Sequence, residues 1–219
     1  FAHAEEVWET AVTITGKQLK KLPGFLYEDM RGNRIEYAND IEDSVTIHFT
    51  GSQNRIIIRS GVSIGRLEIC CGNNAQIYIG AGTEIEDLKI HGTDGEIWIG
   101  EDCLVSYQVI FRNHDVHHIF DKNTGRRINY PGNIKVGNHV WLGYGATRLG
   151  NASIGDNSIV GTMSVTSSTF PKEVIIAGSP AKIIREHVLW SKDNTEFYNH
   201  KLFEECLAKE ALKYTDDID

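Results

Sequence analysis

Val136–Val165 reads VGNHVW LGYGAT RLGNAS IGDNSI VGTMSV, five hexads in succession with no insertion. First positions are Val136, Leu142, Arg148, Ile154 and Val160; second positions are Gly137, Gly143, Leu149, Gly155 and Gly161; fifth positions are Val140, Ala146, Ala152, Ser158 and Ser164. Aliphatic-Gly-x-x-small-x therefore holds in every hexad except the one that opens with Arg148 and Leu149. A helix of 3.6 residues per turn would smear a six-residue period around its surface, and glycine at every sixth position would weaken it further. A short extended segment ending in a corner fits instead, with the aliphatic and the small residue facing inward and glycine supporting the bend. Three such segments close a triangular coil, and stacked coils bury one continuous aliphatic column.

The same register returns upstream at Ile99-Gly100 and Val105-Ser106, and Ile79-Gly80 resembles it. Over 45–98 it loosens into β-rich pieces such as VTIHFT and QIYIG between Gly/Asn turns, which predicts irregular coils. Residues 1–44 show no clear period, and their fold stays open. Past Pro180 the spacing becomes three or four at Phe203, Cys206, Leu207, Ala211 and Tyr214, which predicts a C-terminal α-helix within 191–219. The solenoid is thus assigned to 45–190. One long stretch inside it, RNHDVHHIFDKNTGRRINYPGN at 112–133, carries no hexad and holds three of the nine histidines. An unpatterned excursion from a rigid array points to function. Arg148 breaks the pattern at an inward position, and burying it unpaired would be costly. A local bulge, a partner carboxylate, or a register that turns Leu149 inward is expected there.

Composition narrows the chemistry. A net charge of −8 and a pI near 5.6 argue against nucleic-acid binding, which needs a basic face. Four cysteines without CxxC spacing give neither a disulfide framework nor a structural zinc site. No apolar run is long enough for a membrane span, and the opening FAHAEEVWET is acidic and lacks a signal peptide's apolar stretch, so a cytoplasmic location is expected.

Hexads, a histidine-bearing loop and IAGSPAKIIRE at 176–186 together resemble the left-handed parallel β-helix, or hexapeptide-repeat, acyltransferases, and more narrowly the O-acetyltransferases of sugars and capsular polysaccharides, the sialic-acid-modifying ones included. The resemblance is close over 99–190, diffuse over 45–98 and absent over 1–44. It implies the hand of the helix, a homotrimer, acetyl-CoA as co-substrate in a groove between solenoids, no metal, and an acceptor hydroxyl on a sugar or bacterial surface polysaccharide. His117 falls on the family's catalytic histidine; chemistry asks for such a base, because an alcohol attacks a thioester poorly until its proton is removed. His114 and His118 read as ordinary loop histidines. Trp141, 24 residues on at the outward sixth position, matches the family's tryptophan and would offer an indole N–H to a developing oxyanion; packing between subunits explains it equally well. Gly143, Thr162, Lys182 and Arg185 match the coenzyme-binding positions, the two cations suiting phosphates or simply a solvated helix start. The family's lysine in the final coils is Ser168 here. Asp115, Arg126 and Arg127 are the substrate-side candidates. Asp115 would position an imidazole or make a turn, while the two arginines, with Arg112 and Lys122, would give a cationic mouth suited to a carboxylated sugar.

Three other readings compete on the residues. An N-acyltransferase for an amino sugar or nucleotide sugar is the main alternative, though 1–44 is short for a nucleotide-binding domain. A zinc enzyme of the γ-carbonic anhydrase kind needs converging histidines, and the nine histidines contain no H-x4-H pair. A non-catalytic scaffold would leave the histidine loop unexplained.

Overall fold

The computed structural model describes residues 11–22, 26–38 and 41–192. Short strands turn a corner every few residues and stack into three flat faces. Face I runs through Val12–Thr15, Val45–Phe49, Leu67–Cys71, Leu88–Gly92, Val109–Arg112, Thr147–Leu149 and Val165–Thr166. Face II takes Leu26–Glu28, Arg34–Tyr37, Arg55–Ile58, Ala75–Ile79, Gly95–Ile99, Ile134–Val136, Ser153–Ile154 and Thr169–Phe170. Face III begins at Ser63–Ile64 and continues through Glu84–Ile85, Leu104–Val105, Trp141–Leu142 and Ile159–Val160 to a terminal hairpin, Val174–Gly178 with Ala181–Glu186. Pairing is parallel from coil to coil; the antiparallel exceptions are Val12–Thr15, the Leu26–Glu28 strand and the terminal hairpin. Helix among the described residues is the single turn Gly16–Leu19, capped by Thr15. The expected C-terminal helix lies outside the described residues.

Inward side chains form columns, as the hexads require. Val136, Leu142, Ile154 and Val160 are at most 1% exposed, and so are all five small fifth-position residues. Hexad coils after the excursion repeat every 18 residues, Thr147 pairing with Val165, before the last step shortens to 16, Ser153 pairing with Thr169. Earlier ones repeat every 20 to 22, Ala75 pairing with Gly95, Leu67 with Leu88 and Val45 with Leu67. Those earlier strands are mostly five residues long on faces I and II and bury positions one, three and five. A period of two therefore overwrites the period of six there, which is why the hexad fades over 45–98. The array also starts before 45: Ile35 and Tyr37 enter the core and pair in parallel with Ile56 and Ile58.

The role expected of the second-position glycines needs correction. The left-handed bend sits instead at the fourth position of every hexad: Asp102, Gln108, His139, Gly145, Asn151, Asn157 and Met163 have φ between 50° and 70°. The second-position glycine answers a different demand, the closeness of the next coil. A Cβ on Gly143 would lie 2.7 Å from the Val160 carbonyl oxygen and 2.9 Å from the Thr162 nitrogen.

Arg148 satisfies none of the three expectations. It points inward with 0% exposure, between Phe111 below and Thr166 above, while Leu149 faces out. No carboxylate meets it among the described residues. Nη1 donates to Thr166 Oγ1 at 3.0 Å and to the Thr147 carbonyl at 3.4 Å, whereas Nε and Nη2 have no partner among the described residues. Burial pushes its pKa down to about 9, which still leaves it charged at neutral pH.

Candidate active site

The excursion leaves the prism where face I turns into face II, and its neck is pinned. Gly132 N–H donates to the Asn113 carbonyl at 2.9 Å, and the Asn113 side chain bonds both backbone groups of Thr93 in the coil below. Beyond the neck the chain folds back as a small hairpin, with Phe120 bridging Arg127 and Gly125 in the left-handed turn. Its organiser is Asn129, which sequence reasoning missed. Asn129 Nδ2 donates to the His117 carbonyl at 2.8 Å and to Asp115 Oδ2 at 2.9 Å, and its Oδ1 accepts from Ile119 N–H at 2.7 Å. The backbone of His117 is held and its ring left exposed. An asparagine in a polar loop carries no periodic signal, so only the three-dimensional contacts reveal it.

Asp115 thus serves the loop's own architecture. Arg127 does so too: its Nη2 donates to the Asn129 carbonyl at 2.9 Å and its guanidinium lies 5.0 Å from the Tyr130 ring centre. Arg126 is exposed; its N–H donates to Thr124 Oγ1 at 3.3 Å, and its guanidinium meets no partner among the described residues. Between the hairpin and face I runs a groove of about 450 Å³, lined in part by Cys70, His91, Asp94, His114, His118 and Arg127. Burial, helped by nearby Arg112 and Lys89, lowers the His91 pKa, so this imidazole enters the groove wall mainly uncharged at neutral pH.

Trp141 lies elsewhere, on face III, 38% exposed. Its Nε1 donates to Ser106 Oγ at 3.4 Å, and its ring leans on Trp190 with centroids 5.9 Å apart. Trp190 is clamped in turn. Its ring stacks 4.2 Å from that of His139, its Nε1 donates to the His139 carbonyl at 3.0 Å, and its own carbonyl faces His139 Nε2 at 3.1 Å. Asp102 Oδ2 meets His139 Nδ1 at 2.8 Å, and Lys192 reaches Asp102 Oδ1 at 2.8 Å. Burial would raise the Asp102 carboxyl; the hydrogen bonds from Lys192 and His139 outweigh it and hold the group below its usual range.

The coenzyme candidates share face III with Trp141. Gly143 and Gly161 directly follow the Trp141–Leu142 and Ile159–Val160 strands, Ala177 pairs with Lys182, and Arg185 falls in the row of Trp141, Ile159 and Ile175. Thr162, Lys182 and Arg185 are exposed. Lys182 and Arg185 lie on a strand, so the helix-start explanation of these cations falls away. Gly143 is buried with both backbone groups used, its N–H by Val160 and its carbonyl by Ala146, which leaves no free amide for a ligand. The structure therefore puts His117, Asp115, Arg126 and Arg127 at the corner of faces I and II, and the other candidates on the opposite face. No hydrogen bond or ring contact joins the two groups among the described residues.

No protein-family profile matches the chain. A polysialic acid O-acetyltransferase of Neisseria meningitidis is 31% identical over 172 residues, 78% of this chain and 79% of the relative. The chain belongs to the polysialic acid O-acetyltransferase family of hexapeptide-repeat acetyltransferases. A second member, from Escherichia coli O1:K1, is 31% identical over 114 residues, which are 52% of this chain and only 36% of that protein. The crystal structure of the polySia-specific acetyltransferase NeuO superposes with a TM-score of 0.71 at 25% identity, covering 84% of this chain and 77% of that one. This family's left-handed parallel β-helix is the fold described above, and the chain is an O-acetyltransferase by membership. Among the described residues no helix is long and apolar enough to cross a membrane.

Proposed function

We propose that this acetyltransferase moves acetyl from acetyl-CoA to a hydroxyl of an acidic bacterial surface polysaccharide of the polysialic acid kind, in the cytoplasm, with His117 as general base. One observation carries the reading: an exposed imidazole on a hairpin that braces it through its own carbonyl, in a chain of this family. In the reaction His117 takes the acceptor hydroxyl's proton as the oxygen attacks the thioester carbonyl. The tetrahedral oxyanion then collapses, the C–S bond breaks, and the proton passes to the departing thiolate. Trp141 Nε1–H, bonded only loosely to Ser106, is the oxyanion donor.

Because base and indole lie on opposite sides of one chain, the complete site takes His117 from one subunit and face III from the next, in a homotrimer. The hairpin supports this with Val116, Ile119, Phe120, Ile128 and Tyr130, each more than half exposed and in need of a covering surface. Acetyl-CoA then lies along face III with its phosphates at Lys182 and Arg185. A thiol-release assay with acetyl-CoA over a panel of acidic and neutral glycans tests the activity, and absence of turnover on every carboxylated glycan would overturn it.

Two expected results follow from these placements. Replacing Lys182 and Arg185 together by glutamate should weaken coenzyme binding several-fold at low ionic strength and much less at high, since exposed phosphate contacts are screened. Titration at two salt concentrations checks this; equal affinity would move the phosphates elsewhere. Arg126→Glu should raise KM several-fold for an acidic acceptor and leave a neutral one unchanged. Arg126 is the cleaner probe than Arg127, whose guanidinium also holds the hairpin.

A further inference from the structure

The outward side of face II carries a feature that neither base nor coenzyme surface uses. Successive coils place Ile57, Tyr78, Trp98 and Lys135 in one line, each paired with the next. Tyr78 and Trp98 are stacked flat, with centroids 3.8 Å apart and planes 11° apart, and Trp98 is 42% exposed. Two grooves adjoin along this line and share Ile57. One, of about 180 Å³, is walled by Tyr78, Trp98, Gln76 and Arg55; the other, of about 470 Å³, by Leu26, Arg34, Arg59 and Ser60. Arg34 and Arg55 both reach Oε1 of Glu36, at 3.0 and 2.9 Å, while Arg59 is exposed and its side chain meets no partner among the described residues. Lys135, at the upper end, is two residues past the neck of the histidine hairpin.

We propose that this strip is a second, non-catalytic binding site for an acidic polysaccharide, holding the part of the acceptor chain that extends beyond the reacting sugar. The chemistry is specific on three counts. The exposed part of Trp98, held rigid by its stack on Tyr78, offers low-entropy contact to the apolar face of a sugar ring, with Gln76 and Glu96 beside it for hydroxyls. Arginine forks suit carboxylates, and Arg59, unlike Arg34 and Arg55, is not taken up by Glu36, in a chain of net charge −8. The line also starts at the hairpin's base and descends three coils from Lys135 to Ile57, about 14 Å at the usual strand spacing, so one extended chain can meet both sites. A second copy of the protein suits the strip less well, because Arg55 and Glu96 stand beside the rings and Arg34, Glu36 and Arg59 line the adjoining groove, whereas the core of a contact between subunits is depleted in charge.

The proposal rests on the acceptor reading above, and binding is measured apart from turnover. Affinity for polysialic acid oligomers of two lengths, with neutral dextran as control, is determined for wild type, Trp98→Phe and Tyr78→Ala/Trp98→Ala without acetyl-CoA; sedimentation and circular dichroism are recorded alongside. The double alanine variant should bind the long oligomer about fivefold or more weakly. Trp98→Phe should retain most of the affinity, and kcat and KM for the shortest acceptor should not move. Unchanged affinity for the long oligomer overturns the proposal, as does an equal loss for the short one. A loss that accompanies a change in oligomeric state also overturns it, because the strip is then a contact between copies. Wild-type protein that binds the oligomers without acetylating them sinks the catalytic reading and leaves the strip standing.

Discussion

His117→Ala should lower kcat by about 10²–10⁴ while acetyl-CoA affinity stays within twofold of wild type, the loss expected when a positioned general base is removed. The alcohol must shed its proton as it attacks, and among the hairpin's histidines His117 alone has its carbonyl braced by Asn129; His114 directs Nδ1 at the Asp115 carbonyl at 3.3 Å. His114→Ala should therefore cost little. Asn129→Ala keeps the imidazole but frees its backbone, so it should lose part of the rate through kcat and leave coenzyme binding alone. Because His117 and Trp141 lie on opposite sides of the chain, a mixed trimer of His117→Ala and Trp141→Ala subunits should regain activity that neither variant has alone. Wild-type turnover by His117→Ala would remove the assignment. Failure of the mixed trimer to recover would place both groups in one subunit's site.

How much of this was legible in the chain depends on the reach of each interaction. The hexads over 136–165 expose their own geometry because an 18-residue coil of two- and three-residue strands repeats its inward positions every six residues. The wider coils below hide it, since five-residue strands alternate inside and outside faster than the corners recur. Fourth-position bends were missed for a related reason: His139, Asn157 and Met163 share a backbone angle and no side-chain chemistry. At the site, the excursion and its histidine could be read, because a break in a strict repeat is local. Partnerships over distance could not. Nothing in the spacing of 102, 139 and 190 says that an aspartate, a histidine and a tryptophan will lock together under Trp141. Nor does a separation of 24 residues between His117 and Trp141 reveal that the hairpin puts them on opposite sides of a prism.

Arg148→Met should raise the melting temperature by several degrees, a direction opposite to that of most core substitutions. The guanidinium is fully buried with no carboxylate, and one of its three nitrogens does all of its bonding. Removing a charge normally strands its partners, but here they keep each other: Thr166 Oγ1 also donates to the Thr147 carbonyl at 3.4 Å. Methionine fills much of the same space above Phe111, where Ile47, Ile69 and Ile90 continue the column below. Even a buried ion pair exchanged for well-packed apolar side chains leaves stability unchanged or raises it by about 1–4 kcal/mol, and this charge has no counter-charge to lose; a chain of this size gains about 2–4 °C per kcal/mol. Alanine at the same place should instead lower stability, because it leaves a cavity. The dependence on pH separates charge from shape. Folding holds the guanidinium's pKa down near 9, below its unfolded value, so the unfolded chain binds the proton more tightly. The penalty is then complete at neutral pH and fades only as pH rises above about 9. The advantage of Arg148→Met over wild type should accordingly be constant between pH 6 and 8 and shrink in alkaline buffer. A lower melting temperature for the methionine variant at pH 7 would show that Nε and Nη2 are satisfied by bound water or an anion, and that the charge is part of how the last coils are held.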